Sequence, residues 1–191
     1  MKNISKKHIV KIPKHISVFY SEKNRVITVV GPLRKKSLKL KTRVFVSLKK
    51  KIIGVTSEPF QNVSLNERKQ LKVLQGTTVA LLKQILLEAS VLLCKKLRFV
   101  GVGYRAFLVK TENNTLLQLK LGYSHDIYFK IPPSITVFCL KSDKLFISGS
   151  LYEYVSQIAS SIRSYKIPEP YKGKGILYEN ETITLKEGKK V

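Results

Sequence analysis

Near its C-terminal end the chain reads Pro168-Glu169-Pro170-Tyr171-Lys172-Gly173-Lys174-Gly175-Ile176, and further on Lys186-Glu187-Gly188-Lys189-Lys190. These residue types at this spacing suit phosphate binding along a backbone. Prolines on both sides of Glu169 stop any helix. Glycines alternating with Lys172 and Lys174 let the main chain approach a surface while charge projects from it. Tyr171 offers a stacking face and a hydroxyl. Little in the stretch forms a core of its own. The competing reading is a solvated basic terminus, although a mobile tail has no need of Pro-Glu-Pro-Tyr in fixed order.

Other constellations carry less chemistry. Gly101-Val102-Gly103-Tyr104-Arg105-Ala106 formally fits a dinucleotide-binding turn, but that reading requires a helix to open there, and the following residues alternate like a strand. Ser124, His125 and Asp126 are consecutive, whereas a catalytic triad is assembled from separated positions. His8, His15 and His125 have no partner at metal-ligand spacing, and Cys94 and Cys139 stand alone. The expectation is no enzyme, no metal, no cofactor, and two buried free thiols.

The chain has 191 residues with 36 Lys and Arg against 12 Asp and Glu, a formal net charge of +24. Such a chain repels itself unless something anionic neutralises it, and nucleic acid is the usual partner. A membrane fits poorly, for want of a long apolar run or a basic amphipathic helix. Residues 1–51 hold 16 of the basic side chains and one acid, Glu22. Lysine predominates, as suits phosphates rather than bidentate base reading. Tyrosines beside cations (Tyr104 with Arg105, Tyr165 with Lys166, Tyr171 with Lys172) are placed to stack on unpaired bases. The N-terminal residues show neither a signal-peptide apolar region nor the Arg- and Ser-rich pattern of a cleaved transit peptide.

The elements that must position these residues read as α+β. Ile12-Pro13-Lys14-His15-Ile16-Ser17-Val18-Phe19 recurs as Ile131-Pro132-Pro133-Ser134-Ile135-Thr136-Val137-Phe138. After each, a basic residue (Arg25, Lys144) opens a second strand-like run ending at Gly31 or Gly149. Two hairpins of one design predict a duplicated domain. Further strands are expected over 25–30, 33–40, 43–48, 97–103, 104–110, 115–121 and 127–131, with a turn at Asn113-Asn114 and a loop over 52–63. Ser64…Glu67 and Ser150…Glu153 are capping-box spacings. Apolar stripes follow at Leu71, Leu74, Thr78, Leu82, Ile85 and Ala89, and at Leu151, Val155, Ile158 and Ile162. Gly76 is expected to allow close helix–sheet packing. The reading is two similar small domains, each an antiparallel β-sheet packed with one α-helix, over 1–94 and 95–165, plus an extended basic tail over 166–191.

Several phrases together resemble one family. They are Gly76-Thr77-Thr78, Lys95-Lys96-Leu97, Val100 through Ala106, Leu121-Gly122-Tyr123-Ser124-His125, Ile162-Arg163, Pro168 through Ile176 with Tyr178, and Lys186 through Lys190. In order, they are similar to the bacterial and organellar large-subunit ribosomal protein family L-six. The resemblance implies two α+β domains from duplication and a structural role, with no catalysis. It also implies contact with large-subunit rRNA near the sarcin–ricin region, the translation-factor site and the stalk base. The RNA-binding residues it implies, with the tyrosine–cation pairs above, are Arg105, His125, Arg163, Tyr165, Lys166, Tyr171, Lys172, Gly173, Lys174, Gly175, Lys186, Lys189 and Lys190. Partners are rRNA and neighbouring large-subunit proteins, with no membrane and no homo-oligomer; a free RNA-binding module or RNA chaperone is the alternative. Val79 and Leu177 stand where the family usually has Arg, and Asp126 where Pro is usual. The match from the start of the chain, with its AT-rich residue bias, points to an organelle-encoded mitochondrial protein in the mitochondrial matrix; a plastid or the bacterial cytoplasm is the alternative.

Overall fold

A computed structural model of the chain describes residues 6–60, 65–111 and 114–188. Contacts divide the chain into two units, 1–91 and 92–191.

The first unit runs from a single 3-10 turn at Lys6–His8 through six strands into a helix. The strands are β1 (Ile9–Lys11), β2 (Ser17–Ser21), β3 (Val26–Val30), β4 (Lys35–Lys39), β5 (Thr42–Ser47) and β6 (Ile52–Pro59); the helix is α1 (Leu65–Ser90). Two three-stranded antiparallel sheets form, in the orders β1-β6-β5 and β2-β3-β4. Alternation decides which side chains go inside: Ile27 and Val29 of β3 and Ile53 and Val55 of β6 are fully buried. Burying side chains of this kind stabilises by about 1.5–3 kcal/mol each. They meet α1 through Thr78, Leu82, Ile85 and Ala89, as the periodicity predicts, joined by Gln75, Val79 and Leu86. Gln75 is buried among them because its Nε2 donates to the Val55 carbonyl at 2.7 Å.

Two expectations for this unit are corrected. Residues 52–59 are not a loop but the central strand of a sheet, where β-branched Ile53 and Val55 fill the core. Gly76 does not face the sheet: it is exposed, and a Cβ built there meets nothing within 4 Å. The close approach lies instead at Gly31, where a Cβ would fall 2.3 Å from the Ala89 carbonyl oxygen of α1. Ser64 of the first capping box lies outside the described residues.

The second unit holds β7 (Leu93–Val100), β8 (Arg105–Thr111), β9 (Asn114–Lys120), β10 (Ile127–Lys130), β11 (Ile135–Lys141), β12 (Lys144–Gly149), α2 (Tyr152–Ser164) and β13 (Gly175–Tyr178). Its sheets are β10-β9-β8 and β11-β12-β7-β13. Helix α2 is amphipathic and buries Val155, Ile158, Ala159 and Ile162. Its N-cap is Leu151, in extended conformation and without a side-chain cap bond, so the Ser150…Glu153 box does not form. The helix starts one residue too late for that spacing; Glu153 remains in the first turn, favourable to the helix dipole. The thiols also differ from expectation. Cys139 is half-buried, which pushes its pKa up, but Cys94 is exposed on the outward side of β7. Of the Asn113-Asn114 turn, Asn113 lies outside the described residues; pairing of Thr111 with Asn114 closes that hairpin.

Matched in chain order, the two units pair their strands identically: β7, β12 and β11 correspond to β1, β6 and β5, and β8, β9 and β10 to β2, β3 and β4. A helix follows the sixth strand in each. The Ile-Pro-x-x-Ile repeat does not mark this register, because it precedes β2 in one unit and β11, the counterpart of β5, in the other. In both places a proline carbonyl accepts the N–H of the isoleucine three residues on (Ile16 to Pro13 at 3.3 Å, Ile135 to Pro132 at 3.1 Å). Each unit passes between its sheets at two such points, and the same turn serves at either.

Candidate nucleic-acid interface

The expected tail is largely folded. At the end of α2 the Lys166 carbonyl accepts the Ile176 N–H at 2.9 Å, which closes a loop. Inside it Glu169 N–H donates to Lys174 O at 3.0 Å and Gly173 N–H to Glu169 O at 3.1 Å, while Lys186 N–H reaches Pro170 O at 2.9 Å. Gly175 has φ +153°, and a Cβ there would lie 2.5 Å from Pro168 Cα, so the backbone crossing requires glycine. The chain then pairs along β7 from Gly175–Val100 to Tyr178–Leu97, burying Ile176 and Leu177 in the unit's core. Among the described residues after β13, 179–188 form no helix or strand. The loop thus presents Pro170, Tyr171 and Lys172 to solvent, with Gly173 and Lys174 half-buried behind them.

A second segment meets the base of this loop. Tyr123, in the turn between β9 and β10, donates its hydroxyl to the Tyr165 carbonyl at 3.0 Å. The Lys166 ammonium lies 4.4 Å from the centre of the Tyr123 ring. His125 stacks on that ring, with centroids 6.1 Å apart and planes at 20°. Tyr165 in turn packs edge-on against Phe129 of β10. Strand pairing sets Arg105 opposite Lys120, next to this turn, and the Tyr104 ring fills the space over Gly101 and Gly122. The Gly101–Ala106 phrase therefore leads into a strand, not the helix a dinucleotide site needs.

His125, Tyr165 and Lys166 are brought together, with Arg105 beside their turn; Tyr171, Lys172, Gly173, Lys174 and Gly175 share the loop, and Lys186 is tied to it. Arg163 is different. Its Nε and Nη2 bind both carboxylate oxygens of Glu181, and its guanidinium stands over the Tyr178 ring. Glu181 also accepts the Tyr178 N–H at 3.1 Å, and its carbonyl accepts from Arg98. The Arg163 hydrogen bonds hold the Glu181 pKa below the usual carboxylate value. Arg163 thus fastens the C-terminal segment to α2. Lys189 and Lys190 lie outside the described residues. Tyr123 is the contact that residue-by-residue reading passed over as a site; the Gly122-Tyr123-Ser124-His125 turn signal was present in the sequence.

The loop's cations, Lys166, Lys172 and Lys174, outnumber its one carboxylate, exposed Glu169, so the electrostatics favour an anion. Glu179 pairs with Lys96 at 3.1 Å, Glu181 with Arg163, and Asp126 with Gln118 and Lys120. These acids therefore engage groups other than the loop lysines. Exposed Tyr123, Tyr165 and Tyr171 supply flat faces among the cations. Among the described residues there is no cluster of three side chains able to hold a metal, and no helix long and apolar enough to cross a membrane.

The family model described as Ribosomal protein L6 matches residues 100–179, spanning the Tyr123 turn and the loop. The chain is 40% identical over 181 residues to "Large ribosomal subunit protein uL6" of Mycoplasma capricolum subsp. capricolum, covering 95% of this chain and 94% of that one. Against the protein of the same name from Paramagnetospirillum magneticum it is 40% identical over 184 residues, covering 96% and 97%. Against "Large ribosomal subunit protein uL6m" of Prototheca wickerhamii it is 35% identical over 189 residues, covering 95% of each.

Proposed function

The chain belongs to the ribosomal protein L6 family, and on that premise we propose that it is a structural constituent of the large ribosomal subunit that holds large-subunit rRNA through the 165–174 loop and the 121–126 turn. Membership of this family speaks against an enzyme. The observation that carries the contact is the assembly of His125, Tyr165 and Lys166 around Tyr123 at the base of a loop whose exposed tip is Tyr171-Lys172. Cations take the phosphates and tyrosine faces take unpaired bases. The family resemblance supports a contact near the sarcin–ricin region and the stalk base, with neighbouring ribosomal proteins as further partners. Its relatives include bacterial uL6 proteins and a uL6m, which supports a bacterial or organellar ribosomal protein. Its AT-rich residue bias favours an organelle-encoded mitochondrial source.

Deleting residues 165–191 is not a clean test, because Ile176 and Leu177 belong to the core. The Lys166→Gln, Lys172→Gln pair is cleaner. The plot of log affinity for large-subunit rRNA against log salt should become shallower by about 0.7–0.9 per lost phosphate contact, with stability lowered by no more than the about 0.5–1 kcal/mol of the Lys166–Tyr123 contact. An unchanged slope and affinity would refute this contact.

A further inference from the structure

The loop leaves the largest concentration of charge in the chain unexplained. We infer that the first unit carries a second RNA-phosphate-binding surface, formed where the turn between β5 and β6 meets the β1–β2 crossover. This deepens the reading above and rests on rRNA being the partner.

Two clusters far apart in sequence are joined there by the fold. Ile12 N–H donates to the Lys51 carbonyl at 2.8 Å, and Lys11 pairs across the sheet with Ile52. The segment carrying Lys11, Lys14 and His15 therefore meets, at Lys11 and Ile12, the turn carrying Lys49, Lys50 and Lys51, and all six residues are exposed. Of the unit's acids whose side chains are described, Glu22, Glu58 and Glu88 belong to other parts of it. Glu22 is in the β2–β3 turn, Glu58 near the opposite end of β6, and Glu88 is buried in α1, where it binds Lys36 at 3.0 Å. The lysine turn is also fixed in shape: Lys51 N–H donates to Leu48 O at 3.2 Å, and Lys51 sits at φ +50°. That left-handed conformation favours glycine or asparagine, yet lysine occupies it. Consecutive lysines on a fixed turn, with no tyrosine interleaved, suit a run of phosphates read without regard to sequence.

The test uses the full chain with Lys14→Gln, Lys49→Gln and Lys50→Gln, all on exposed side chains. Its salt-dependence slope for large-subunit rRNA should become shallower by about 2–3, with unchanged melting. Arginine at the same three positions should restore the slope. If the triple variant keeps the wild-type slope while the Lys166, Lys172 pair lowers it, this surface does not bind RNA and the loop reading stands. If neither variant moves the slope, both fail. Normal binding to free rRNA with poor incorporation into subunits would assign the surface to an acidic protein neighbour and overturn the inference.

Discussion

The two units share one pattern of strand pairing but differ in what each adds to it. The second unit adds β13 along the edge of β7, a closed loop before it, and the Arg163–Glu181 clasp after it. The first unit adds exposed lysines on turns the frame already possesses. A loop that depends on a glycine crossing, paired main-chain bonds and a ring stack tolerates few sequences. A cationic turn needs only charge and exposure. The family model matches 100–179, in the second unit, whereas 16 of the chain's basic residues lie in 1–51. Motif and charge are thus separate signals, and each points to a different surface.

The largest predicted effect breaks the comparison at its glycines. Gly175→Ala forces a Cβ onto the Pro168 backbone at an unfavourable φ, and should destabilise by about 2–4 kcal/mol in urea melts and weaken rRNA binding through loss of the loop. Gly31→Ala meets the Ala89 carbonyl just as closely, so it should cost comparable stability while leaving the salt dependence of the loop contact intact. Equal loss of binding in both variants would mean that the loop is not a separate device.

A smaller effect sharpens the clasp. Glu181→Gln should cost about 1–2 kcal/mol near neutral pH by removing a charge-assisted pair and weakening the Tyr178 N–H bond. The folded-state pKa of Glu181 is depressed, so this stability is fully present above its ordinary pKa and is lost as pH falls through the folded value. Wild type and variant should therefore converge below the ordinary carboxylate range. A gap that persists at low pH would show that packing, not charge, fastens the segment.

What could be read from the sequence follows from locality. The stripes of α1 and α2 and most strands were legible because periodicity is local. The central strand β6 was hidden: Ile52-Ile53-Gly54-Val55 looks like a connection until the sheet is closed around it. β13 was hidden for the same reason, since the core that receives Ile176 comes from residues far upstream. The Pro-Glu-Pro-Tyr-Lys-Gly-Lys-Gly phrase marked an irregular cationic segment but not its folded form. Nothing local in the sequence separates Arg163 from the loop cations, and only the fold sets Glu181 across from it. Tyr123 could have been found from the Gly-Tyr-Ser-His turn, but its partners Tyr165 and Lys166 lie about 40 residues further along the chain.

The most direct measurement is protein–RNA photocrosslinking in isolated large subunits after a high-salt wash, with both the peptide and the attached nucleotides identified. Crosslinked peptides from 121–126 and 165–174, joined to one region of large-subunit rRNA, are the predicted result. A subunit-bound protein whose crosslinks avoid both segments, or whose RNA attachments scatter and wash away with salt, would contradict the account.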